Sequence, residues 1–106
     1  MTTKQAVSLV RKAIGDPTGK CYYSSEVVKF LANENLTPHF IRTGPLSTHW
    51  YLVDRRGRII DPTVHQFTRL PNYSVGRGCG FRGKDLSKRA QKLLDRIKGE
   101  HVSTTA

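Results

Sequence analysis

Apolar residues recur at helical spacing in three stretches of the chain and gather into short strand-like runs between the second and third. In MTTKQAVSLVRKAIG, Ala6, Val7, Val10, Ala13 and Ile14 return every third or fourth position with charges between them, which predicts an amphipathic helix. GDPTGK, residues 15–20, then clusters Gly, Asp and Pro in a turn-rich break. A second helix is predicted from Cys21, with Val27, Val28, Leu31 and Ala32 on its apolar face, Glu26, Lys29, Asn33 and Glu34 opposite, and Asn35 as its C-cap. LTPHFIRTG reads as a strand, because His39, Ile41 and Thr43 alternate with Phe40 and Arg42. THWYLVD and RIID read as a hairpin turning at RRG, with Gly57 supplying the flexible backbone and Pro62, which has no N–H for a ladder, ending the second strand.

Beyond Pro62 an irregular segment packed by Val64 and Phe67 is expected, followed by the Gly-rich loop NYSVGRGCGFRG with a short edge strand at Tyr73 to Val75. KDLSKRAQKLLDRIKG places Leu86, Ala90, Leu93, Leu94 and Ile97 on one side of a third helix that ends near Gly99, before a frayed tail. These elements predict an α+β fold: an N-terminal helix, a Cys-bearing helix, a small antiparallel sheet of about three to four strands and a basic C-terminal helix. A chain of 106 residues is one domain, with a core over 19–70, a basic region over 71–99 and a tail over 100–106.

Composition narrows the function classes. The hydrophobic fraction of 37% beside 25% charged residues belongs to a folded globular chain and not a disordered one. No apolar run is long enough to span a bilayer, so no membrane partner is expected, and the amphipathic first segment lacks the apolar block of a secretory signal. A cytoplasmic, reducing setting follows, in which Cys21 and Cys79 are free thiols. Without a CxxC or HxxxH pair, and with four scattered histidines, no metal and no cofactor is expected. Nine basic and two acidic residues between Arg69 and Lys98 carry +7 of the net +10. That region is the candidate anion or nucleic-acid contact, with Arg77, Arg82, Lys84, Lys88, Arg89 and Lys92 as the residues to make it. Only Tyr73 and Phe81 accompany them as aromatics, too few for a stacking platform.

The chemistry-bearing residues appear in the order Cys, His, Asp. Cys21 falls at the start of a helix, where the dipole and free N–H groups favour a thiolate. His49 opens the first strand of the hairpin and Asp61 ends the second. Counting outward from the turn, Leu52 or Val53 faces Ile60 or Ile59, and His49 lies slightly beyond Asp61. Strand alternation puts Trp50 on the face opposite His49, in a core role. Singly, each residue has a bland reading: a small core thiol, a hydrogen-bonded strand histidine, a turn-forming aspartate before proline. Their shared order and placement favour a nucleophile, a base and an orienting acid. His65 and Gln66, just after Asp61, are within reach of the cleft, with packing or surface as the default for both. Cys79 is a candidate second thiol near the site, though a loop Cys without a partner is usually incidental. His39 and His101 have no context that lifts them above background.

A Cys heading a helix, a His opening an aromatic strand and an Asp ending the next strand resemble the papain-like superfamily. The pattern is similar to the core shared by transglutaminase-like, arylamine acetyltransferase-like and NlpC/P60-type enzymes, and HWYLVD…GRIIDPTVHQF resembles small, mostly uncharacterised phage and bacterial proteins of that type. The resemblance covers roughly residues 20–67. It implies a papain-like fold and a hydrolase or acyltransferase acting on an amide or peptide bond of a protein or peptide-like substrate, as a protease, amidase, deamidase or transglutaminase. Cys21 would be the nucleophile, His49 the base and Asp61 the orienting acid, in the host cytoplasm for a phage-encoded chain. The sequence departs from the pattern before the Cys, where DPTGK stands in place of the oxyanion Gln. Gln5, Tyr22 and Gln66 are the residues available as a second oxyanion donor beside the Cys21 N–H. The alternative is a basic module that binds nucleic acid or an acidic protein, on a catalytically inactive papain-like scaffold of a phage system.

Overall fold

The computed structural model describes residues 1–81, 83 and 85–105, with backbone alone from residue 100 onward. Among these residues the chain forms three α-helices and a four-stranded antiparallel sheet. In chain order they are α1 (Thr3–Ile14), α2 (Cys21–Leu31), β1 (Thr37–Gly44), β2 (Ser47–Val53), β3 (Ile59–Ile60), β4 (Arg77–Gly78) and α3 (Lys88–Thr105). Single 3₁₀ turns lie at Val64–Gln66 and Tyr73–Val75. None of the described helices is long and apolar enough to cross a membrane.

The first helix starts on a capping box: the Thr2 hydroxyl accepts from the Gln5 N–H while the Gln5 carbonyl oxygen accepts from the Thr2 N–H. This use of Gln5 ties its side chain to the N-terminal end of α1, the opposite end of that helix from the 15–20 break that leads to Cys21. The 15–20 break then does what its composition predicts. Gly15 takes a positive φ of 63°, Asp16 accepts from the Thr18 N–H, and the Lys20 N–H closes on Pro17 O, so that helical structure resumes at Cys21.

Two expectations for α2 are corrected. The helix ends at Leu31 with Ala32 as its cap, short of Asn35, because the Asn33 N–H leaves the helical ladder and donates to Met1 O at 2.7 Å. Glu26, assigned to the polar face, is buried at 4% exposure. Both α1 and α3 pack on α2, so a helical wheel with one apolar face underestimates what is covered. The Glu26 carboxylate accepts the Ser87 N–H and hydroxyl at 2.9 and 2.6 Å, and the Ser87 hydroxyl accepts the Ala90 N–H. A negative charge is thereby fixed at the start of α3, where the helix dipole favours it. The third helix begins at Lys88 and runs past Gly99 to Thr105, longer at its C-terminal end than its composition suggested. Its residues Ala90, Leu93, Leu94 and Ile97 join Ala6, Val10, Ile14, Val27, Val28, Leu36 and Leu52 in one buried cluster.

The sheet order is β3-β2-β1-β4. The β2–β3 hairpin has the register expected from its turn, Leu52 opposite Ile60 and Val53 opposite Ile59. Asp54 pins that turn: its carboxylate accepts the Arg56 and Arg58 N–H groups and the Arg58 guanidinium, while Gly57 adopts φ 80°. Since β3 is only two residues long, none of the described strands lies beside β2 at residues 48–50 on that side. The edge strand expected at Tyr73 to Val75 is instead a 3₁₀ turn, and the pairing residues are Arg77 and Gly78, opposite Phe40 and His39. The chain crosses Tyr51 at Gly76, where a Cβ would sit 1.8 Å from the tyrosine oxygen, so the approach needs glycine. Leu52 faces the helices and Trp50 stacks edge-on with Tyr22 of α2, as the alternation of β2 requires. His49 and Tyr51 face the other side, under Phe67 and Tyr73.

Candidate active site

The unpaired edge of β2 is where Cys21 arrives. As the first residue of α2 it is half-buried, and its sulfur sits between two backbone groups that point out of the sheet edge, Thr48 O at 3.9 Å and the Trp50 N–H, which donates to it. Residue 49 lies between those two, and its ring acts on the Cys21 thiol, favouring the thiolate as the sulfur favours the imidazolium. On the far side of the ring, His49 Nε2 is 2.6 Å from Asp61 Oδ2. Asp61 thus occupies Nε2, and Nδ1 has the Gln66 amide nitrogen 3.5 Å away.

Each member is held by neighbours. Asp61 directly follows β3, and its Oδ1 accepts from the Thr63 N–H at 3.2 Å, with the Thr63 hydroxyl at 3.5 Å. Its Oδ2 accepts a second hydrogen bond, from the Tyr73 hydroxyl at 2.6 Å. Arg11 of α1 donates to the backbone oxygens of Asp61 and Pro62 at 3.0 and 3.1 Å, tying this corner to the first helix. The His49 ring is 2% exposed and meets the edge of Phe67 at 4.7 Å. The Gln66 amide nitrogen is 3.0 Å from the Thr63 hydroxyl and 3.5 Å from His49 Nδ1.

These contacts set the protonation states. Burial alone would lower His49, but hydrogen bonds to Asp61 and Cys21 and their negative charges outweigh it and push the imidazole up to about 9. Burial alone would raise the Cys21 thiol. The His49 hydrogen bond, the Trp50 N–H and the imidazolium charge overcome it, against a smaller opposing effect of Asp61, and bring the thiol below its ordinary value. Burial and the adjoining Asp61 charge raise Tyr73, which stays a neutral donor. Such a constellation can hold a thiolate–imidazolium pair from the lowered Cys21 pKa up to about pH 9.

The three residues expected to act together are therefore in contact, and Gln66 stands beside them. Tyr22 packs with Trp50 and Phe81 at centroid distances of 4.9 and 5.2 Å, on the side of β2 away from the His49 ring. Among the basic residues, Arg89 and Lys92 line one cleft and Lys88 is not in its lining. Arg77 is on β4, across the sheet, beside Phe40 and Arg42. Arg82 and Lys84 lie outside the described residues. Cys79 is exposed and free, as is the thiol of Cys21 from any disulfide. Among the described residues no cluster of His, Cys, Asp and Glu is arranged to hold a metal.

Sequence reasoning missed Tyr73, Arg11 and the Trp50 N–H. Thr63 was within reach, because Asp-Pro-Thr is an Asx-turn pattern in which the carboxylate takes an N–H two residues on. No family model, curated protein or solved structure matches the chain. The chemical reading accordingly rests on the geometry just described.

That geometry predicts selective alkylation. Iodoacetamide at pH 6 is expected to modify Cys21 well ahead of Cys79, with a rate that rises at lower pH than for a simple alkyl thiol, because the imidazolium stabilises the thiolate. Peptide mapping across pH 5 to 10 reads both quantities. Equal labelling of the two cysteines would refute the ion pair.

Proposed function

We propose that the protein is a cysteine-dependent enzyme with a papain-like core that cleaves, or transfers an acyl group from, an amide or peptide bond through a thioester on Cys21. The observation that carries this reading is the His49 ring bridged between the Cys21 thiol and the Asp61 carboxylate, with Asp61 at 2.6 Å. A buried histidine with only a structural duty needs one partner. Here the same ring is held by an acid and coupled to a nucleophile at a helix start, each shifting the other's protonation.

In this reading the Cys21 sulfur attacks the carbonyl carbon and the C=O electron pair moves to oxygen. The first turn of α2, which Cys21 opens, has no side-chain cap, so its N–H groups and dipole are available to that negative charge. When the tetrahedral adduct collapses, the C–N bond breaks and His49 gives its proton to the departing amine, leaving a Cys21 thioester and a neutral imidazole. Water, or an acceptor amine, then attacks the thioester carbonyl while His49 takes the proton, and the sulfur leaves as thiolate. Half-buried Cys21 is the approachable member of the set, whereas His49 and Asp61 are closed off from solvent. Asp61 is held by Thr63 and Tyr73, so it orients the ring without freedom to turn away.

Trapping of the acyl intermediate tests this directly. A library of peptidyl coumarin amides, quenched in acid and read by intact and peptide mass, is expected to yield coumarin release together with an acyl adduct on Cys21. Coumarin release by protein whose Cys21 has first been alkylated, or acylation that falls on Cys79, would sink the reading.

A further inference from the structure

A cleft of about 540 Å³ opens where the 15–20 loop meets α3. Lys20 contributes from the loop and Arg89, Lys92 and Arg96 from the helix, with Tyr23 of α2 in the wall. The spacing of the three α3 residues places them on one face, and the fold brings Lys20 against that face from far away in sequence. Two of the cations are anchored by the final carbonyls of α1: Lys20 donates to Ile14 O at 2.8 Å and Arg96 to Ala13 O at 3.1 Å. Neither Arg89 nor Lys92 has a hydrogen-bond or ion-pair partner among the described residues, and no carboxylate appears in the described lining. The acids nearest in sequence, Asp16 to Lys20 and Asp95 to Arg96, lie outside the lining and accept from the Thr18 N–H and the Gln91 amide.

A stripe of Lys and Arg along a helix is ordinarily a solvated face. This one differs in being concave, in drawing charge from two separate elements, and in having four cations and no carboxylate among its described lining residues. We propose that the cleft is a binding site for a small polyphosphorylated ligand. Guanidinium forks at Arg89 and Arg96 match phosphate oxygens in pairs, Lys20 and Lys92 add point charge, and a ligand with several negative charges neutralises the set where one carboxylate does not. The volume is that of a small-molecule site. A nucleic-acid backbone calls for an extended basic track, but Lys88 and Lys98 on the same helix lie outside this lining and Arg77 is across the sheet. The proposal does not depend on the Cys21 chemistry.

Calorimetric titration of the whole protein with sodium pyrophosphate tests it. Saturable one-to-one binding is expected, unchanged in Cys21→Ala protein, and weakened about tenfold or more by Arg89→Gln or Lys92→Gln. Both side chains are exposed, and circular dichroism checks that the variants stay folded. Lys98→Gln removes the same charge from the same helix outside the cleft and is expected to change affinity by less than about twofold. Absence of pyrophosphate binding at low salt would overturn the site. So would equal weakening by Lys98→Gln, which would mark a diffuse charge effect. Duplex DNA or a polyglutamate peptide that binds more tightly and displaces pyrophosphate would assign the surface to a macromolecule instead.

Discussion

Cys21→Ala is expected to lower turnover of any amide substrate by about 10⁴- to 10⁶-fold while leaving the thermal unfolding midpoint nearly unchanged. The change removes one sulfur from the start of α2, where the side chain makes a long contact to Thr48 O and accepts the Trp50 N–H. Alanine suits a helical position, and the backbone N–H of residue 21 is retained. The charge geometry that remains, an imidazole backed by Asp61 and the uncapped turn of α2, can polarise a carbonyl but offers it no nucleophile. Cys21→Ser is expected to be similarly inactive. A hydroxyl is far less acidic than a thiol, and a histidine raised to about 9 by its partners is tuned to stabilise a thiolate already formed. Initial rates with each protein, alongside melting curves, make the measurement. Activity within about tenfold of the unmodified protein would remove Cys21 from the chemistry.

The parts of this site that could be read from the sequence are those written in local grammar. The Gly, Asp and Pro of residues 15–20 end one helix and start another, so Cys21 at a helix N-terminus follows from a turn rule. Gly57 fixes the hairpin, and once the register is set the separation of His49 and Asp61 follows by counting. What stayed hidden depends on contacts between distant segments. Glu26 looks like a surface residue until Ser87 arrives on it. Tyr73 sits in a Gly-rich stretch without periodicity, and only the passage of Gly76 over Tyr51 carries its hydroxyl to Asp61. The Trp50 N–H reaches the sulfur because β3 stops after two residues, and strand length is poorly encoded next to a proline. The grouping of Lys20 with Arg89, Lys92 and Arg96 belongs to the same class, since a net charge has no address until helices pack.

Asp61→Asn is expected to cost about 10²- to 10⁴-fold in kcat/KM, and the reason lies in which way the new amide must turn. In the native site Oδ1 accepts the Thr63 N–H, a backbone donor that cannot be reversed, while Oδ2 accepts from His49 and from the Tyr73 hydroxyl. An asparagine that pointed its NH₂ at Thr63 would oppose two donors, so its oxygen keeps the Thr63 side and its NH₂ faces His49 Nε2. The Tyr73 hydroxyl can rotate to accept, but the imidazole has to become the acceptor at Nε2. Its proton then moves to Nδ1, and a neutral ring protonated there, with Nε2 taken up by the amide, has no free nitrogen to accept a proton from the thiol. Loss of the Asp61 charge also withdraws support that raises His49 towards 9, so the thiolate–imidazolium pair weakens and alkylation of Cys21 at pH 6 slows in parallel with turnover. Tyr73→Phe serves as the comparison: it removes one donor from Oδ2 but keeps the tautomer, and a loss of less than about tenfold is expected. If Asp61→Asn left both the alkylation profile and kcat/KM near native values, Asp61 would be a turn-forming residue that happens to touch His49. Matched losses in the two measurements, with the melting temperature preserved, would identify it as the group that orients the base.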